Sequence, residues 1–161
     1  MRRKTVIVGR ILKPYKNGEK QRDLYSREIQ TLERSLFGNY DNRQKSQMLA
    51  KIINLEKEVQ DSSTNKFLID NILSFVHADK GDENYEIFKD YFFKSMLQQA
   101  ISRKYQISVT QISVRINECC ISFLFHWNAI QAAIGSNLET NPNDLIDKKF
   151  TKEMKNNEPK H

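Results

Sequence analysis

The 161-residue sequence predicts a mainly α-helical fold, a helical bundle that carries a helix-turn-helix-like unit and a short N-terminal β-strand on a basic arm. Three observations carry that expectation. Only 5 Gly and 3 Pro are present, too few for a sandwich or barrel built from many tight turns. From Leu24 onward, large apolar residues recur mostly at three- to five-residue steps, the period of helices that bury one face. The exception is "KTVIVGRIL" at 4–12, a β-branched apolar run in which Gly9 marks a bulge or bend.

That run lies in a cationic stretch. Residues 1–22 hold Arg2, Arg3, Lys4, Arg10, Lys13, Lys16, Lys20 and Arg22 against the single acid Glu19, a local balance of +7. The whole chain sums to +6, so the remaining 139 residues are close to neutral at −1. An arm of this kind attracts phosphate backbones or anionic headgroups, and it serves equally as a solubilising tail. The strand within it needs a pairing partner from this chain or a second subunit.

"KPYKNGEK" at 13–20 carries Pro14 and an Asn17-Gly18 turn signal and reads as a connection. A helix is expected from Glu19 to Phe37, with Leu24, Ile29, Leu32 and Leu36 on one side and Gly38 at its C-terminal cap. A second is expected from Asn42 to Gln60, with Met48, Leu49, Ile52, Leu55 and Val59 as its stripe and Asp41 or Asn42 as its cap. The short "GNYDN" loop makes the two an antiparallel hairpin. Its narrow stripe and charged flanks suit core packing or a seam with another subunit.

"DSSTN" at 61–65 is the expected internal boundary. A core helix follows over 66–78, then an acidic break, "DKGDEN", at 79–84, then an aromatic-rich helix over 85–97. This reading divides the chain into a basic arm (1–18), a helical hairpin (19–61), a helical core domain (62–150) containing the helix-turn-helix-like segment 98–117, and a mobile tail (151–161).

The segment "AISRKYQISVTQISVRIN" at 100–117 bears most of the functional expectation. Ile101, Ser102, Tyr105, Ile107 and Ile112 stand where a helix-turn-helix needs apolar, small, apolar, apolar and apolar residues. Ser108 is placed to cap the second helix, which would present Thr110, Gln111, Ser113 and Arg115 to a groove. Between Lys94 and Asn117 the basic residues are Lys94, Arg103, Lys104 and Arg115, with no acid. Two features depart from the pattern. Gln106 occupies the turn position usually given to Gly, and the last inner apolar position falls at Ile116, leaving Arg115 one residue earlier. Two ordinary core helices satisfy the same spacing.

The following run, "CCISFLFHWNAIQAAIGSN" at 119–137, is apolar nearly all round, and a continuous helix from Val109 to Ile134 is expected. Beyond Gly135, Leu138, Leu145, Ile146 and Phe150 suggest a short docked helix starting at Asn143 or Asp144.

Composition also excludes. No run approaches the roughly 18 apolar residues of a membrane span, and no secretory signal is recognisable. Adjacent Cys119 and Cys120 read as reduced core residues, so a cytoplasmic location is expected. The Cys and His spacing gives no metal site, and no cofactor motif or catalytic nucleophile pattern is present. Asp79, Asp82, Glu83 and Asp90 cluster in sequence and read as a solvated acidic loop rather than as nuclease ligands.

The expected function is therefore non-catalytic DNA binding, as a transcriptional regulator or accessory factor acting as a homodimer. Arg2, Arg3, Lys4, Arg10, Arg103 and Lys104 would contact phosphates, and Ser108, Thr110, Gln111, Ser113 and Arg115 would line the base-reading helix. The rival expectation is a helical adaptor or inhibitor that binds a protein partner through the 24–59 hairpin. An RNA-binding accessory role is the third, and it would need exposed aromatic residues.

Overall fold

The computed structural model describes residues 2–135. Among them are five α-helices and no strand: α1 (Arg2–Ser35), α2 (Asn42–Lys80), α3 (Asp82–Phe92), α4 (Gln98–Tyr105) and α5 (Val109–Gly135). The expected docked helix at 143–150 and the tail 151–161 lie outside the described residues.

The N-terminal strand is corrected to helix. Ile7, Val8, Ile11 and Leu12 are all buried, and their spacing of i, i+1, i+4, i+5 is one face of a helix. A β-branched residue disfavours helix by only some tenths of a kcal/mol, whereas burying its side chain is worth roughly 1.5–3 kcal/mol, so burial decides. The connection expected at 13–20 is helical as well. Pro14 sits inside α1 and withholds the amide that would bond the Arg10 carbonyl. The 61–65 boundary is likewise helix, part of α2. Ser63 Oγ donates to the Val59 carbonyl one turn back, which satisfies a polar side chain without breaking the helix.

The described residues form two compact units, Leu12–Asp70 and the residues on either side of it. The first is an antiparallel hairpin. Tyr15, Gly18, Arg22, Tyr25, Ile29 and Leu32 form a shielded line on α1 at strict three- and four-residue steps. Met48, Ile52, Leu55, Val59 and Ser62 do the same on α2. Alternation of three and four is the seam of a coiled coil. Three side-chain contacts set the register: Tyr15 to Asp70, Arg22 Nη1 to Ser62 Oγ at 2.9 Å, and Glu28 to Lys51 at 3.0 Å. Arg22 and Ser62 are a polar layer within an apolar seam, the kind of pair that fixes alignment.

Gly18 explains its own presence. A Cβ there would stand 3.2 Å from Ser62 Oγ and 2.9 Å from Arg22 Nη1, so the missing side chain lets the helices approach and leaves the Arg22–Ser62 bond intact. At the tip, Asp41 and Gln44 form a reciprocal capping box: Asp41 Oδ1 accepts the Gln44 amide at 2.8 Å and Gln44 Oε1 accepts the Asp41 amide at 3.1 Å.

The second unit gathers the start of α1, the end of α2 from Asn71, and α3 to α5. Helices α3 and α4 both pack on α5 and on each other. Phe88, Phe123, Ile87, Ile101, Ile112 and Ile116 have no accessible surface, and Phe88 and Phe92 meet with ring centroids 4.8 Å apart. The break between α2 and α3 is a single residue, Gly81, at φ 85°, a left-handed backbone that glycine takes without a Cβ penalty. Cys119 and Cys120 are free and buried. Burial pushes the Cys119 thiol up to about 12 and the Cys120 thiol higher still, so neither carries thiolate at neutral pH.

Candidate functional site

Helices α4 and α5 meet through the three-residue turn Gln106–Ser108. Ile101 is fully buried under α5, and Ser102 beside it donates its hydroxyl to the Ile107 carbonyl. Gln106 closes α4 at φ 56° and ψ 44°, the left-handed conformation that its position in the pattern requires. A non-glycine residue takes that conformation at a cost of roughly 1–2 kcal/mol. The turn recovers two bonds, since the Gln106 and Ile107 amides both reach the Ser102 carbonyl. Ser108 Oγ then accepts the Gln111 amide at 3.2 Å and caps α5. Ile112 and Ile116 point inward with no exposure, and Arg115, one residue off that line, is half-buried.

The cations of this segment are occupied by acids that α3 supplies. Asp90 is buried between α3 and α4 with no accessible surface. Its Oδ2 accepts from Lys104 Nζ at 2.9 Å and from the Tyr105 hydroxyl at 2.8 Å, and Lys94 Nζ lies 3.1 Å from Oδ1. Burial alone would raise the Asp90 carboxyl; the bonds from Lys104, Tyr105 and Lys94 outweigh it and hold the group below the ordinary carboxylate value. Its carboxylate bond in turn raises the Lys104 ammonium. Arg115 Nη1 donates to Glu83 Oε1 at 2.8 Å. Of the four basic residues between Lys94 and Asn117, three are therefore ion-paired, and the fourth, Arg103, is exposed.

Beside the Arg115–Glu83 pair, a groove of about 420 Å³ runs between the Gly81 turn and the outer face of α5. Asp82, Glu83 and Glu118 border it together with Gln111 and Arg115. These three acids outnumber the groove's two cations, Lys80 and Arg115, so the side of α5 expected to read bases has a net negative border, which repels a phosphate backbone.

The remaining sequence-derived positions are dispersed. Ser108, Thr110 and Gln111 are exposed, and Ser113 is half-buried. Arg3 and Arg10 are exposed and Lys4 half-buried, all on α1 rather than on an extended arm, while the Arg2 side chain lies outside the described residues.

Sequence reading missed the role of the acidic loop. Asp79 Oδ2 accepts from Ser122 Oγ at 2.8 Å and stands 2.7 Å from His126 Nε2. The bonds from His126 and then Ser122 hold the Asp79 carboxyl below its ordinary value. Asp82 pairs with His77 at 2.6 Å, and the His77 ring stacks on Tyr85. The four clustered carboxylates therefore hold helices together at four separate points. Among the described residues no group of three or more His, Cys, Asp or Glu side chains is placed to hold a metal ion. No described helix is long and apolar enough to cross a membrane.

No protein-family model, no curated protein and no solved structure matches this chain.

Proposed function

We propose that the chain is a non-catalytic helical adaptor that binds a protein partner through the 24–59 hairpin. The observation that carries this reading is that the hairpin spends its seam on itself and still exposes large apolar side chains. Phe37 at the tip is 92% exposed, Ile53 59%, Leu24 56% and Leu49 47%. Leu49 and Ile53 are one turn apart on α2, outside the seam, with only Lys51 charged between them. Leu24, Leu49 and Ile53 are already about half covered, so a partner helix gains roughly 1 kcal/mol from each and more from Phe37.

Capture from cells that make the protein tests this. The full-length chain retains a partner protein at fixed stoichiometry through gel filtration. The Leu49→Ser/Ile53→Ser variant keeps the circular dichroism of the parent and loses that partner by at least about tenfold in affinity. A double variant that retains the partner at full stoichiometry removes the reading.

DNA binding is the second reading, and one observation favours it. The left-handed Gln106 and the Ser108 cap give α4 and α5 the turn of a helix-turn-helix. On this reading Arg3, Lys4, Arg10 and Arg103 meet phosphates, and Thr110, Gln111 and Ser113 meet bases. Selection of bound fragments from a random duplex library returns one consensus under this reading. Under the adaptor reading it returns none, because electrostatic attraction of a +6 chain is indifferent to sequence.

A further inference from the structure

Helix α1 carries ten Lys and Arg side chains against four acids, a balance of +6 that equals that of the whole chain. Within the hairpin unit these cations are ordered. The seam repeats every seven residues at Tyr15, Arg22 and Ile29, so the position turned directly away from α2 falls at 13, 20, 27 and 34. Those residues are Lys13, Lys20, Arg27 and Arg34, all exposed and none of them ion-paired with a described residue. The row is about 31 Å long. On its flanks, at 16, 17, 23, 24, 30 and 31, stand one acid, Asp23, and one large apolar residue, Leu24. The equivalent outward positions on α2 are Arg43, Ala50, Lys57 and Thr64, so the single-sign row belongs to α1 and not to the hairpin surface in general. Solubility alone is served by either sign.

We infer that this row docks along the phosphate backbone of duplex DNA, without regard to base sequence and without the helix-turn-helix-like segment. Charge spacing selects that occupant. A duplex carries one phosphate charge per roughly 1.7 Å of its axis, so a straight row of cations meets phosphates in any register. An acidic protein helix would have to repeat its carboxylates at the row's own seven-residue step. An anionic membrane holds a basic helix firmly only when an apolar face also enters the lipid, and α1 has spent its apolar face on the seam. Each of the four cations that reaches a phosphate releases a counterion, so the contact is salt-sensitive. It uses neither Leu49 nor Ile53 of α2, and it stands whether or not a protein partner occupies them.

Fluorescence anisotropy of a labelled mixed-sequence duplex of about 30 base pairs, titrated with the full-length chain at about 50 to 300 mM salt, tests the inference. Binding is micromolar at the low-salt end, indifferent to sequence, and falls steeply as salt rises. Lys20→Gln/Arg27→Gln/Arg34→Gln, at exposed and unpaired positions, keeps the parent's circular dichroism, weakens binding at least about tenfold and flattens the logarithmic salt slope by about three. Arg43→Gln/Lys57→Gln/Arg103→Gln removes the same charge elsewhere and changes that slope by less than about one. Leu49→Ser/Ile53→Ser binds the duplex as the parent does, which separates this result from the fate of the adaptor reading. Absence of duplex binding at low salt overturns the inference. So does a second triple variant that loses as much as the first, or a chain that prefers polyglutamate or vesicles of about 30% phosphatidylserine to the duplex.

Discussion

The two compact units are built on opposite terms. Among the described residues the hairpin unit buries three apolar side chains completely or nearly so, Leu12, Ile52 and Ile69, whereas the other unit buries seventeen. The hairpin holds its register through polar side chains in and beside the seam: Tyr15 to Asp70, Arg22 to Ser62, Glu28 to Lys51. The α3–α5 unit uses polar groups differently, placing Asp90, Glu83, Asp79 and Asp82 where each ties one helix to another around an existing apolar core. The difference lies in what holds each unit together, since large apolar side chains stay exposed on both, Leu97 and Phe125 on the second as well as those of the hairpin. A thin seam leaves Phe37, Leu49 and Ile53 uncovered, while Lys104 and Arg115, two of the three cations within 98–117, are paired with the α3 acids Asp90 and Glu83.

The comparison breaks most visibly under core truncation. Phe88→Ala should cost about 4 kcal/mol, because a fully buried aromatic leaves a cavity among fixed neighbours, while Ile52→Ala should cost nearer 2 kcal/mol, since the hairpin can close around one thinned layer. Urea unfolding of the full chain measures both. Equal losses would mean that the hairpin carries as much core as its companion.

Removing the buried acid comes next. Asp90→Ala should cost about 3 kcal/mol, leaving Tyr105 half-buried without its acceptor and Lys94 and Lys104 without a counter-charge. Asp90 also sets a pH dependence. Its folded carboxyl lies below the ordinary value of 3.8, so its contribution is fully present above that value and is lost as pH falls through the lower folded value. The urea midpoint should therefore hold from neutrality to about pH 5 and drop below about pH 4, with a smaller drop in Asp90→Ala. Identical acid profiles for the two proteins would place the sensitivity elsewhere, with Asp79, also held low, as the next candidate.

Smaller effects refine the turn and its flank. Gln106→Gly should stabilise by about 1 kcal/mol, because glycine takes φ 56° without the Cβ penalty. Glu83→Gln should change stability by less than about 1 kcal/mol, since its pair with Arg115 is largely open to solvent. The same variant frees Arg115 and should strengthen non-specific DNA binding measurably, a direct check that Glu83 suppresses it.

Much of the helical architecture was legible from spacing. Of the expected stripe Met48, Leu49, Ile52, Leu55 and Val59, all but the exposed Leu49 face the seam, and the Asp41 cap lies where capping chemistry places it. The turn at Gln106 was legible because its position in the motif demands a left-handed residue whatever its identity. Local break signals misled: Pro14, Asn17-Gly18 and "DSSTN" all sit within helices. Each is overridden by the seam that passes through it, since Tyr15, Gly18 and Ser62 occupy seam positions and a turn there would expose their neighbours. The acids that pair with Lys104 and Arg115 were not legible at all. Lys104 meets Asp90 across 14 residues and Arg115 meets Glu83 across 32, and sequence windows acid-free in one dimension are acid-lined once α3 packs alongside.

The central proposal is that the hairpin, and not the helix-turn-helix-like segment 98–117, binds this protein's partner. Hydrogen–deuterium exchange of the full-length chain, alone and saturated with the partner it retains from its own cells, tests that most directly. The expected result is added protection within residues 46–56 and around Phe37, with 98–117 unchanged. Protection gained at 98–117 while the hairpin exchanges as before would contradict it.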